Sequence, residues 1–220
     1  MIFSSRPLLR FTLWVIALLP ICFVTWWYFG ALLAAPAVWL VNAVLTAWVP
    51  EVVQSVSLEG TSMTVLTLFG ENNGAIQPAA QAGNQLAFPF DTRILSYSIP
   101  FFAALHFATP LEAALERFLQ AVLVLWLLLA VGLLATALKD LMLALGSVFL
   151  EQPGVPSANA IALAYQFCTL MIPPVTPVVI WAFMARQSPT FRELLAPPGS
   201  RGRPSSGTSR SSQGRPSQDE

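Results

Sequence analysis

The sequence predicts an all-α integral membrane protein of about four transmembrane helices, with a small β-containing extracytoplasmic segment and a disordered C-terminal tail. Three observations carry this. The chain is 55% hydrophobic and only 10% charged, with a mean hydropathy of +0.66, whereas soluble domains carry roughly 25% charged residues. The apolar residues gather into long blocks, and the region before residue 197 contains one lysine, Lys139. The stretch 197–220 has no apolar side chain to bury. Eleven basic residues balance eleven acidic ones, which excludes a strongly basic nucleic-acid binder. Cys22 and Cys168 both lie inside apolar runs, which excludes a disulfide-stapled secreted domain.

The first apolar block runs from Leu8 to Leu33, opened by Arg6 and Arg10 and interrupted by Pro20. It exceeds the roughly 20 residues that span a bilayer as a helix. Trp26, Trp27 and Tyr28 lie toward its far end, where amphipathic rings favour the headgroup layer. Ala35-Pro36-Ala37 has the small-x-small form of a processing site, but the block is longer than the usual apolar core of about 7–15 residues in a cleaved signal. Residues 36–50 are too short to span comfortably. Their stripe of Leu40, Val44 and Trp48 predicts a helix that lies in the interface or continues the first span.

From 51 to 93 the pattern changes. Val56-Ser57-Leu58-Glu59 alternates, Thr64 to Phe69 is β-branched and apolar, and Gly60 lies between them, a hairpin signal. The stretch 70–85, rich in Gly, Asn, Gln and Ala, reads as a loop. Residues 85–90 read as a third short strand that Pro89 confines to an edge.

The second candidate span, 94–109, has about 16 residues and holds Pro100 and His106. Phe118 to Leu138 is the strongest, followed by Lys139-Asp140 and further apolar residues, so this helix is expected to emerge from the bilayer or to bend near Gly132 or Gly146. A Pro- and Gly-containing loop over 151–159 precedes the last span, 161–185, which prolines 173, 174 and 177 interrupt. The domain division that follows is 1–50 (first transmembrane helix and interfacial helix), 51–93 (extracytoplasmic), 94–196 (three-helix transmembrane region) and 197–220 (cytoplasmic tail).

With four spans, one side of the membrane holds nine positive residues (Arg6, Arg10, Arg117, Arg186, Arg192, Arg201, Arg203, Arg210 and Arg215) and the other holds two, Arg93 and Lys139. The positive-inside rule then puts both termini in the cytoplasm and exports 51–93. For a bacterial source the exported side is the periplasm, and the expected location is the bacterial inner membrane, multi-pass.

Catalysis in a membrane needs converging polar groups, and few are present. His106 is the sole histidine, Cys168 sits in an ordinary apolar context, and Asp91 and Arg93 flank the mouth of the second candidate span. A Cys168–His106 nucleophile pair has no support in the local sequence. Asp91 and Arg93 are two residues apart, close enough to pair with each other or to grip a partner. Lys139 and Asp140 are adjacent and point apart on a helix, so each is expected to need another partner. There is no Gly-rich phosphate loop, GxSxG or HExxH pattern, and no ligand set at metal spacing. The expected role is non-enzymatic, with no cofactor and no metal.

The stretch from Asp91 to Leu105, Asp-Thr-Arg-Ile-Leu-Ser-Tyr-Ser-Ile-Pro-Phe-Phe-Ala-Ala-Leu, resembles the approach to a span in the exosortase H-associated membrane proteins. The Arg-Phe-Thr-Leu-Trp run at 10–14, the Leu-Leu-Ala-Ala-Pro-Ala-Val-Trp-Leu run at 32–40, and a last span ending in Trp181 and Arg186 are similar too. Thr92-Arg93 stands where that pattern has Asn-Pro, and Ser98-Ile99 where it has a glycine. The resemblance implies an accessory partner of an exosortase-type membrane transpeptidase that sorts exported proteins bearing a C-terminal signal. It transfers no catalytic residue, and it singles out Tyr97 and Pro100, with Asp91 and Arg93 beside them, as partner-binding positions. A small membrane transporter or channel subunit, gated at the proline-broken last span, is the alternative.

Overall fold

The computed structural model describes residues 7–186. Arg6, Arg192, the tail 197–220 and its four arginines lie outside the described residues. Helix α1, Pro7–Trp48, runs 42 residues without interruption, about 63 Å at 1.5 Å per residue and twice the hydrocarbon thickness of a bilayer. Of the two forms expected for 36–50, the structure has the continuation, with Pro20 and Pro36 inside the helix. Neither the interfacial turn nor a break appears, because the second half of α1 has a partner to pack on.

That partner is a small antiparallel sheet. Strands β1 (Val53–Glu59) and β2 (Ser62–Thr67) form the expected hairpin about Gly60, with Val56 opposite Val65 and Glu59 opposite Ser62. In β2 the alternate residues Met63, Val65 and Thr67 are buried, the period-two pattern of a strand with one face on a core. The last strand of the sheet, at 87–91, pairs with β2 and sets Pro89 opposite Thr64. It lies at the edge of the order, as a proline without an N–H requires.

The stretch expected to be a loop, 70–85, is ordered, and this corrects the sequence reading. It holds a second hairpin, β3 (Phe69–Asn72) with β4 (Ala75–Pro78), and a short helix α2 (Ala79–Ala82) before β5 (Ala87–Asp91). The turn is Asn73-Gly74, both at positive φ, the dipeptide that two-residue hairpins favour. Asn84 then clamps the hairpin: its side-chain amide donates to Glu71 O at 2.9 Å and its Oδ1 accepts from Glu71 N–H at 3.0 Å. Only glycine fits at 70, since a Cβ there would lie 2.2 Å from the Asn84 carbonyl oxygen.

The second candidate span forms two short helices, α3 (Arg93–Ser96) and α4 (Ser98–Ala108). At 11 residues, α4 is about 16 Å long, well short of a bilayer core. Helix α5, Ala114–Leu145, is continuous through Gly132 and stops at Gly146, whose φ is +56°. After α6 (Ser147–Leu150) and a loop, the last apolar stretch is α7 (Ala158–Gln166), a π-helical turn at Phe167–Met171, and α8 (Ile172–Ala185). The wide turn falls just before Pro173 and Pro174, which cannot donate back to the preceding turn. Among the described residues three continuous apolar stretches are long enough to cross a membrane: Leu9–Trp48, Ala114–Leu145 and Ala158–Ala185.

The core has two parts. One joins α1 (Val41, Leu45), Val49 just beyond it, the sheet (Val56, Met63, Val65), α5 (Leu133, Leu141) and Phe149. The other joins α4 (Ile99, Phe102), α5 (Val122, Leu125) and α8 (Trp181, Ala185), with Phe11 of α1 against it. The first halves of α1 and α5 thus make a helical layer with α4 and α8, while the second half of α1 carries the sheet and the second half of α5 packs on α1 and α7. Asn42 joins the two elements of the upper part, its Oδ1 accepting the Val56 N–H at 2.8 Å.

Candidate functional site

The end of β5 and the start of α3 lie against α1 where its tryptophans cluster. Thr92, fully buried, anchors the corner: its N–H and its hydroxyl both donate to the Thr61 carbonyl at 2.9 Å. Asp91 and Arg93 flank it and pair with each other. The Asp91 carboxylate accepts the Arg93 backbone N–H at 3.0 Å and the Arg93 Nε–H at 3.1 and 3.2 Å. The Arg93 guanidinium carbon also stands 4.3 Å from the centroid of the Trp27 ring, a cation–π distance. Partial burial works to raise the Asp91 pKa, but the Arg93 N–H bond, guanidinium bond and charge, with the Thr61 hydroxyl, outweigh it and hold the carboxyl below its ordinary value.

One turn along, Trp26 Nε1 donates to Ser96 Oγ at 3.1 Å inside the fold. Tyr97, at the junction of α3 and α4, is half-buried, and Pro100 is buried in the first turn of α4. In that turn a backbone N–H has no acceptor within the helix, so proline costs no hydrogen bond there. The structure therefore brings Asp91, Arg93, Tyr97 and Pro100 onto one short stretch. Asp91 and Arg93 reach the surface, Tyr97 does so in part, and Pro100 shapes the backbone beneath.

The other polar candidates lie elsewhere. His106 is fully buried, packed with Phe102, Phe107 and Phe118 at ring-centroid distances of 5.3–5.8 Å, and its Nε2 lies 2.7 Å from the Ala114 carbonyl. Its burial could not be read from its own stretch, because α5 supplies Phe118 and Ala114. Cys168 sits at the π turn beside Leu95, Gly132 and Pro173, around a space of only about 10 Å³, room for at most one water. Nothing brings Cys168 and His106 together. Among the described residues no three His, Cys, Asp or Glu side chains gather as a metal site would require.

Lys139 and Asp140 correct the expectation that each needs another partner. They form an ion pair with each other, and the Lys139 ammonium also stands 4.9 Å from the Tyr165 ring centroid. The four-carbon lysine stem is long enough to swing back along the helix to its neighbour.

No curated protein matches the chain, and no solved structure does. A family model described as exosortase H-associated membrane protein matches residues 5–188, which takes in every element from α1 to α8. The chain therefore belongs to the family of exosortase H-associated membrane proteins.

Proposed function

We propose that this protein is a non-enzymatic accessory protein of a bacterial inner membrane, which associates with an exosortase-type transpeptidase in the sorting of exported, C-terminally tagged proteins. Family membership across residues 5–188 is the observation that carries the reading. The chain is multi-pass, with α4 as a fourth, short crossing and both termini in the cytoplasm. The shortness of α4 is compatible with a crossing because its far end meets the start of α5, where His106 lies against Ala114, while its near end is joined to the Trp26–Ser96 level of α1.

In this reading the sheet is exported, and the surface around Asp91, Arg93 and Tyr97 faces the partner. The ion pair and Trp27 hold Arg93 in one orientation, which lowers the entropy lost when a partner engages it. Pro100 sets the direction of α4 beneath. Co-purification of the transpeptidase with Arg93→Ala and Tyr97→Ala variants tests the assignment. Each is expected to lower recovery several-fold while the variant itself accumulates normally. Unchanged recovery with both would show these positions to be packing only.

A further inference from the structure

We propose that the cleft between the first turn of α5 and the last turn of α8 binds the phosphate ester of an anionic phospholipid headgroup. Arg117 and Arg186 come from different helices and line one cleft of about 230 Å³ with Gln120, Phe183 and Met184. Among the described residues the ion pairs are Asp91–Arg93 and Lys139–Asp140, so neither cleft arginine is neutralised by a carboxylate there. The carboxylate of Glu116, on the same turn as Arg117, accepts instead from Gln120 Nε2 at 3.3 Å. Arg117 also lies at the start of α5, where the helix dipole adds to its positive charge. The Arg186 guanidinium is held 4.6 Å from the Phe183 ring centroid, which fixes its position without satisfying its donors.

Two guanidinium groups converging on one space suit the oxygens of a phosphate, which they hold by charge-assisted bonds. The rest of the wall selects the source of that phosphate. Phe183 and Met184 are apolar, and Val124, four residues on from Gln120, and Val179, four residues before Phe183, continue the two faces as exposed apolar side chains, a surface for an acyl chain and not for water. The cleft lies at the end of the bundle where Phe11 meets Trp181, which is a headgroup level if the helical layer lies in a bilayer. Basic pockets between helices at that level are sites for anionic headgroups. The inference rests on the bilayer placement, and not on the transpeptidase partner.

The test uses the full chain purified in a non-ionic detergent, with lipid retention read by native mass spectrometry. Phosphatidylglycerol and phosphatidylcholine of identical acyl chains are the probes. The wild type is expected to retain phosphatidylglycerol about tenfold over phosphatidylcholine. Arg117→Gln with Arg186→Gln should abolish that preference, and Arg186→Gln alone, at an exposed position, should reduce it. Lys139→Gln, toward the other end of α5, should leave it intact. Equal retention of both lipids by the wild type, or an undiminished preference in the double variant, would overturn the proposal. Release of phosphatidylglycerol by equimolar inorganic phosphate would mark a soluble-anion site and overturn the lipid assignment. Extraction of the wild type from membranes by alkaline carbonate would instead refute the bilayer placement itself.

Discussion

The ring of Phe11 stacks on the indole of Trp181, with centroids 5.4 Å apart and planes 19° from parallel. Phe11 lies near the start of α1 and Trp181 near the end of α8, so the two ends of the described chain meet at one end of the bundle. Trp181 Nε1 also donates to Thr109 Oγ1 at 2.8 Å, which brings the connection between α4 and α5 to the same end. The topology proposed above, with an even number of crossings, accords with that arrangement. A reporter active only after export should work when inserted after Asn73 and fail at either terminus. Activity at one terminus alone would require an odd number of crossings and contradict the proposed topology.

The second half of α1 is held against the sheet in part by the bond from the Val56 N–H to Asn42 Oδ1. Asn42→Leu keeps roughly the side-chain volume but leaves that N–H without its acceptor, at a cost of about 1–3 kcal/mol. Asn42→Asp keeps the acceptor. Thermal unfolding in detergent should therefore show a clear loss for the first variant and a much smaller one for the second. Equal losses would mean that the bond contributes nothing specific.

Gly70 has the Asn84 backbone pressed against it, 2.2 Å from where a Cβ would stand. Gly70→Ala should separate the β3–β4 hairpin from Asn84 and open 69–84, α2 included, to proteolysis, with α1, α4, α5 and α8 unaffected. A protease-resistance pattern identical to wild type would show that the hairpin shifts at no cost.

Asp91 carries a pH signature. Its carboxyl is held below the unfolded value of about 3.9. The stability it contributes is therefore fully present above about pH 4 and is lost as pH falls through the lowered folded value. Between pH 5 and 8 the Asp91–Arg93 pair should be insensitive to pH. Comparing the melting of wild type and Asp91→Asn across pH 2.5–7 checks the sign. The difference should be largest at neutral pH and close as the medium becomes strongly acidic. A gap that widens on acidification would contradict the assignment.

Much of the architecture could be read from residue patterns, because the relevant signals are local. The leucine-rich run of α5, the β1–β2 alternation, the edge position of Pro89 and the break at residue 151 each depend on a few neighbours in sequence. The loop assigned to 70–85 overlooked Asn73-Gly74, a turn signal that was present, and it could not foresee the Asn84 clamp. The continuity of α1 through Pro36 was open in the sequence because the support for its second half comes from the sheet and from Leu133 and Leu141 of α5. The four positions proposed to meet a partner were named from a family resemblance. The ion pair was among the options the spacing allowed, but its stacking on Trp27 was not, since Trp27 is 66 residues away from Arg93.

The central claim is that this chain has a membrane transpeptidase for a partner. The most direct measurement is crosslinking in the native cell through a photoreactive residue placed in the 51–93 segment, followed by mild-detergent purification and mass spectrometry. The account predicts recovery of a polytopic exosortase-type protein, and a marked loss of that product in the Arg93→Ala and Tyr97→Ala variants. Recovery of this chain alone, or of a solute-transport complex, would contradict it.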